Sequence, residues 1–377
     1  MTDNQTTPRP DGPPHDNSRI RLHWSLLAPL CCLAIFALAE TVFHDSTPAA
    51  LFLAAVPLLF VSVFVAVHHA EVLAHRIGQP FGSLLLALSV TLIEVSLIVS
   101  VLLADAEGDN AVARDTVFAA IMIVLNGIVG LCLLIGGLKY HVQEFRAPSA
   151  TAALGVLSTL AVLGLVLPNF TQAVPGPVYA PAQLIFVASM SLMLYLLFLF
   201  VQMYSHRSEF MELNDDKATA HGPAAAGPAL LLSALALPVA LLAVVLAAEM
   251  LAEPMSEGIE AAGLPEAIVG VVIALIVLLP EGIASIRAAT ANRLQTSLNL
   301  ALGSALASLC LTIPVVSLLS LALGRHLVLG LEAEHIVLLV LTLFVSTLSL
   351  VMGRTTMMQG GIHLVIFGAF ITISALP

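Results

Sequence analysis

The sequence predicts an all-α membrane protein of eleven transmembrane helices, one N-terminal helix followed by two inverted five-helix repeats. Three observations carry this. Of 377 residues, 59% are hydrophobic and only 10% are charged, whereas a soluble domain carries about 25% charged residues. The apolar residues come in blocks of roughly 20, the length that spans a bilayer as a helix, without the alternation of a membrane β-barrel. The 13 Lys and Arg also divide very unevenly between two faces once eleven spans are drawn.

In chain order, residues 1–22 are polar and rich in Pro, Asp and Asn, and read as a disordered cytoplasmic tail. No basic segment leads into a short apolar stretch with a small-residue cleavage site, so the chain is expected to insert through its first span. The spans are expected at 23–43, 50–74, 81–104, 116–138, 151–168, 182–204, 228–250, 264–286, 296–323, 333–352 and 358–376. With the N-terminus inside, 11 of the 13 Lys and Arg fall on the cytoplasmic side, and only Arg114 and Arg325 fall outside. The positive-inside rule thus gives N-in, C-out in a bacterial cytoplasmic membrane. An even number of spans scrambles the split. The acids gather at the outer face, among them Asp105, Asp109, Asp115, Glu332 and Glu334. Either they raise the local cation concentration or they are simply solvated. Cys31, Cys32, Cys132 and Cys310 lie in apolar blocks and read as small hydrophobic residues.

Residues 205–227, polar and then Gly/Ala-rich, form the longest cytoplasmic connection and read as a linker between two five-span units, 50–204 and 228–376. An odd number of spans per unit forces consecutive units into opposite orientations, the common architecture of secondary transporters. Short matches support the pairing. Gly78-Gln79-Pro80 precedes Glu94 as Gly263-Leu264-Pro265 precedes Glu281. Asn126-x-x-x-Gly130 parallels Asn299-x-x-x-Gly303, and Glu71 and Glu249 close the preceding spans.

Glu94 stands roughly 16–18 Å from either end of its block at 1.5 Å per residue, the bilayer centre, where an acid costs about 2.5–3.5 kcal/mol. Glu281 sits near mid-depth if its helix continues to Arg293. Two acids meeting at the midplane make an oxygen-rich site for a hard cation such as Ca²⁺ or Na⁺. Because like charges repel, protons and a cation compete for the pair, and that competition is the basis of antiport. Pro280 lacks an amide hydrogen and is expected to break its helix, freeing carbonyls near Ile276 and Val277. Gly282 is expected to let a neighbouring helix approach, and Gly303 with the small residues beside it to pack closely on another helix. Asn126, Asn299, Ser304 and Ser308 are further candidate ligands, or else interhelical hydrogen-bonding groups. His68, Glu71 and His75 share one face of the second span. They form either a proton relay or cation entry, or a polar patch at the headgroup boundary.

The stretches "QPFGSLLLALSVTLIEVSLI", "ARDTVFAAIMIVLNGIVGLCLLIGGLKYHVQEF" and "LPEGIASIRAATANRLQTSLNLALGSALASLCLTIPVV" resemble the calcium/proton exchanger branch of the calcium:cation antiporter superfamily, and most of all bacterial sodium-calcium/proton antiporters. The resemblance covers roughly residues 50–376. It implies an extra N-terminal span and two inverted repeats, with Glu94 and Glu281 as paired central acids, Ser304 as the serine of the second repeat, and Glu71 and Glu249 lining the inner and outer vestibules. Pro280-Glu281-Gly282 departs from the eukaryotic pattern, which places an Asn and a His around the central acid.

The expected activity is secondary antiport: export of Ca²⁺, or of Na⁺ or K⁺, against incoming protons, with spans one, two, six, seven and eleven sliding past the central helices. Metal cations, protons and the lipid bilayer are the expected partners, with no nucleic acid and no cofactor. No phosphate-binding loop indicates ATP as an energy source, and no H-E-x-x-H or G-x-S-x-G indicates an intramembrane enzyme. A cation channel is the other reading.

Overall fold

A computed structural model of the chain describes residues 17–42, 49–77, 81–104, 111–211, 227–263, 265 and 267–376, and the structural statements below concern these. The helices are α1 Asn17–Val42, α2 Ala49–Ile77, α3 Phe81–Ala104, α4 Val112–Met122, α5 Val129–Tyr140, α6 Ala147–Ala161, α7 Pro181–Phe200, α8 Gly227–Ala261, α9 Ala267–Thr290, α10 Leu294–Leu323, α11 Ala333–Leu350 and α12 Met357–Ala375. A π-helical turn, Ile123–Ile128, joins α4 to α5 in one long span. Two further π-helical turns, Val162–Val166 and Val201–Ser205, two 3-10 turns, Leu167–Phe170 and Arg207–Phe210, and two short strands, β1 Gln143–Glu144 and β2 Arg354–Thr355, complete the set. Among the described residues nine helical segments are long and apolar enough to cross a membrane, and Leu27–Ala39 in α1 and Ala87–Val99 in α3 are shorter apolar stretches.

The helix ends follow local chemistry. Pro148 and Pro181 open α6 and α7 where a missing amide hydrogen costs nothing. The Thr356 amide donates to Gln359 Oε1 at 2.9 Å and caps α12. Gly324 closes α10 in a left-handed conformation at φ 65°. Two expectations are corrected here. Helix α1 begins at Asn17, within the stretch expected to be a disordered tail. Helix α9 runs unbroken from Ala267 to Thr290 with Pro280 inside it: packing on both sides holds the helix through the proline, so the consequence of Pro280 is a missing donor for Ile276 rather than a break.

The connections collect at two ends. At one, β1 pairs antiparallel with β2, Gln143 opposite Thr355. There Lys139 Nζ and Tyr140 OH donate to the Thr290 carbonyl, at 2.8 and 2.7 Å. At the other end Val178 bridges Val328, the Leu329 and Gly330 amides donate to the Pro177 carbonyl, and Asn169 Nδ2 donates to the Leu331 carbonyl at 2.8 Å. Arg114, buried beside Asp115 (2.7 Å), fastens this second belt by donating to the Gly330 carbonyl at 3.2 Å. Lys139, Arg146, Arg207, Arg287, Arg293 and Arg354 stand at the first end, Arg114 and Arg325 at the second.

The buried apolar residues form two bodies. The larger joins α4–α7 to α10–α12; the smaller gathers α1, α2 and α8. Helices α3 and α9 lie between and contribute to both. Ile98 of α3 and Ala274 and Leu278 of α9 face the larger body, while Val90, Ile93, Val269, Ile273 and Val277 face the smaller. Helix α3 packs on α10 and α9 packs on α4 and its π turn. Two glycines set the second contact. A Cβ on Gly270 meets the Thr116 backbone nitrogen at 2.8 Å, and a Cβ on Gly282 meets Ile128 Cδ1 at 3.2 Å. The intervals 270–282 and 116–128 are equal, so the two helices run parallel.

Candidate cation site at the seam

Glu94 and Glu281, one on each seam helix, are 1% and 5% exposed, so both carboxyls are largely withdrawn from bulk water. Ser308 of α10 donates to Glu94 Oε1 at 2.5 Å. Ser304, one turn earlier on the same face of α10, lies against the Glu281 carboxyl, and Glu94 is near enough for the two acids to act on each other. The second oxygen of each carboxyl, Oε2, is buried and without a hydrogen-bond partner. Leaving such atoms bare is costly, so a proton or a cation is the natural complement. Two carboxylates and two serine hydroxyls form the all-oxygen donor set that hard cations take.

A cavity of ≈ 40 Å³ reaches Glu281 between α7 and α10, lined also by Gln202, Asn299, Gly303 and Ser304. That is room for about three waters. Gly303 has open space where a Cβ would stand; it opens the cavity rather than drawing a helix close, as had been expected. Asn299, in the cavity wall, donates to the Phe210 carbonyl at 2.7 Å and accepts from Gln295 at 2.9 Å. It therefore holds the segment after α7 beside the cavity mouth.

Asn126 corrects another expectation. Its Nδ2 donates to Thr342 Oγ1 at 2.9 Å and its Oδ1 accepts from His363 Nδ1 at 3.0 Å, so it serves α11 and α12 rather than either glutamate. The reason is angular. Ile128 meets α9 at Gly282, and two residues are about half a helical turn, so Asn126 faces the other way. In α2, His68 is exposed and Glu71 half-buried; the side chains of His75 and Glu249 lie outside the described residues. Sequence reasoning passed over His69, which is fully buried and pairs with Ser233 Oγ of α8 at 3.1 Å. It also passed over His363, whose signal was present: it is the sole histidine of the last apolar block, directly after two glycines and an isoleucine.

Comparisons with known proteins agree with this architecture. The model of the sodium/calcium exchanger protein family matches residues 47–204 and 232–376. A protein of Sinorhizobium fredii named as an ionic transporter, y4hA, is 50% identical over 94% of this chain and 96% of its own length. The sodium-potassium/proton antiporter ChaA of Escherichia coli is 35% identical over 92% of this chain and 94% of its own. Among solved structures, native YfkE superimposes with TM-score 0.71 at 19% identity over 94% of this chain and 100% of its own, a likeness of fold.

Proposed function

The chain belongs to the sodium/calcium exchanger protein family, and we propose from that premise that it is a secondary antiporter exporting Ca²⁺, with Na⁺ and K⁺ as competing cargo, in exchange for protons. The observation that carries this is the pair of buried glutamates on the two seam helices, each with one unpartnered oxygen. Largely withdrawn from water, such a pair holds protons or a cation, and exchanging one for the other across the membrane is antiport. Glu94, Glu281, Ser304 and Ser308 form the cation site, and Asn299 lies on its approach. The named relatives differ in cargo: sodium and potassium for ChaA, calcium for the YfkE antiporter. The oxygen set accepts all three ions, so cargo is decided by competition.

The finer architecture is part of the same proposal: eleven spans, N-terminus inside and C-terminus outside the bacterial cytoplasmic membrane, and two inverted five-span repeats joined by 205–227. The repeats are supported by mirrored contacts. Helix α3 packs on α10 as α9 packs on α4, and α7 packs on α10 as α12 packs on α5. The β1–β2 pair at one end answers the Val178–Val328 bridge at the other. The family match in two stretches follows the same division. The orientation is supported by six of the described Lys and Arg, Lys139, Arg146, Arg207, Arg287, Arg293 and Arg354, at the β1–β2 end against Arg114 and Arg325 at the other. The cavity approaches Glu281 from the end where α7 finishes and α10 begins, which makes this state open to the cytoplasm.

The test uses everted membrane vesicles holding a respiration-generated pH gradient. Adding Ca²⁺, Na⁺ or K⁺ is expected to collapse the gradient, and Glu281→Gln to abolish the response. A response unaltered in that variant refutes the assignment of the site. Cation flux without proton movement favours a channel.

A further inference from the structure

We propose that His363 is a positioning residue for the Glu281 side of the site, acting through Asn126 and the π-helical turn that carries it. The inference rests on the antiporter reading for its transport measurements, but the geometry stands apart from that reading.

The described residues hold three π-helical turns, of which Ile123–Ile128 alone lies between two α-helices while the others close their spans; inside a helix such a turn persists where the surroundings hold it, and such turns concentrate at functional sites. Here the turn Ile123–Ile128 is wedged between two partners. On one side Ile128 seats against Gly282, the residue after Glu281, where a Cβ on the glycine meets the isoleucine at 3.2 Å. On the other side Asn126 is gripped by α11 and α12. His363, 1% exposed, has Nδ1 3.0 Å from Asn126 Oδ1 and Nε2 3.2 Å from Ser349 Oγ. An amide oxygen only accepts, so Nδ1 carries a proton and donates to Asn126. The glycine contacts place α12 closely: a Cβ on Gly130 meets His363 Cβ at 3.0 Å, and one on Gly360 meets the Leu134 nitrogen at 2.3 Å.

The chain of contact is therefore Ser349, His363, Asn126, the π turn, Ile128, Gly282, Glu281. Removing the Nδ1 donor releases Asn126 and lets the turn relax toward α-helix. One residue of slippage turns half the span by roughly 100° relative to the other half, and Ile128 leaves Gly282. The backbone beside Glu281 then loses its support, with an effect on cation affinity more than on turnover.

Two replacements separate position from bulk. An asparagine side chain presents its amide nitrogen near the place of imidazole Nδ1, whereas a glutamine presents it near Nε2. In the vesicle assay, His363→Gln is expected to raise the apparent KM for the transported cation about tenfold, the loss of one buried hydrogen bond, with kcat nearly unchanged. His363→Asn is expected to stay within about threefold of the native KM on the same reasoning. In an Asn126→Ala background, His363→Gln is expected to add nothing. Equal effects of the two replacements, or effects that multiply with Asn126→Ala, overturn the proposal. If His363→Gln fails to accumulate, Thr342→Val deletes the α11 bond to Asn126 and takes its place with the same expectation. An experimental structure of either variant decides the matter without transport. Asn126 released and Ile128 off Gly282 supports the proposal, and an unchanged turn overturns it. A native protein that moves no protons on cation addition defeats the antiporter reading alone.

Discussion

At the scale of the residue, the energetic fact is that Glu94 and Glu281 each expose one polar oxygen to nothing. Ser308 supplies Glu94 with its hydrogen bond at 2.5 Å, and bonds to charged groups are worth about 1.5–3 kcal/mol. Ser308→Ala is therefore expected to raise the apparent KM for cation by about 10- to 100-fold, while leaving accumulation in the membrane unaltered. An unchanged KM removes Ser308 from the site. In the proposed cycle protons and cation share the same oxygens. The apparent KM should then fall as pH rises, by about tenfold per pH unit for each proton displaced, and level off once the carboxyls are free. A KM flat from pH 6 to 9 contradicts shared occupancy. The two glutamates were legible in the sequence because an acid in the middle of a long apolar run is costly there and so marks a site. The angular position of Asn126 was not, because a π turn leaves no local signature, and the turn decides which way the amide points.

At the scale of the element, α9 is held by what its glycines lack. Gly270 admits the backbone of Asp115 and Thr116, with Thr116 N at 2.8 Å from the place of a Cβ. Backbone cannot step aside as a side chain tip can. Gly270→Ala should lower the thermal midpoint of the purified protein, at a cost of about 1–3 kcal/mol, and reduce transport by displacing α9. Gly155, with nothing within 4 Å of its Cβ position, is the control. Gly155→Ala in mid-helix should be neutral or stabilising by about 0.5–1 kcal/mol. Equal shifts in the two variants argue against a specific contact at Gly270. Sequence foresaw a glycine beside Glu281 for close approach, and Ile128 occupies that space. It misjudged Pro280, because a proline's local cost was weighed without the packing that keeps α9 continuous from Ala267 to Thr290. It misjudged Gly303 for a related reason: a glycine can mark contact or vacancy, and only the neighbouring helix distinguishes them.

At the scale of the whole molecule, two apolar bodies meet at a seam, with α3 and α9 as the shared border. In the proposed cycle the smaller body of α1, α2 and α8 moves against the larger along that seam. Helices α7 and α12, expected from sequence to slide with the smaller group, contribute Leu184, Tyr195, Phe198, Ile366 and Phe370 to the larger body instead. The proposed orientation is checked by labelling. In a cysteine-free background, a cysteine replacing exposed Ser208 should react with a membrane-impermeant thiol reagent only from the cytoplasm, and one replacing exposed Ala262 only from outside; the reverse pattern inverts the topology. The two belts that close the ends, Gln143 with Thr355 and Val178 with Val328, join a connection of one half to a connection of the other, and the site is likewise cross-built. This has a consequence for biosynthesis. Ser308 follows its partner Glu94 by 214 residues, so a ribosome adding about 5–20 residues per second leaves that acid without its hydroxyl for ~10–40 s. During the interval the nascent first half must keep Glu94 protonated or sheltered at the insertion machinery, and late arrival of the tenth helix becomes a point at which assembly can fail.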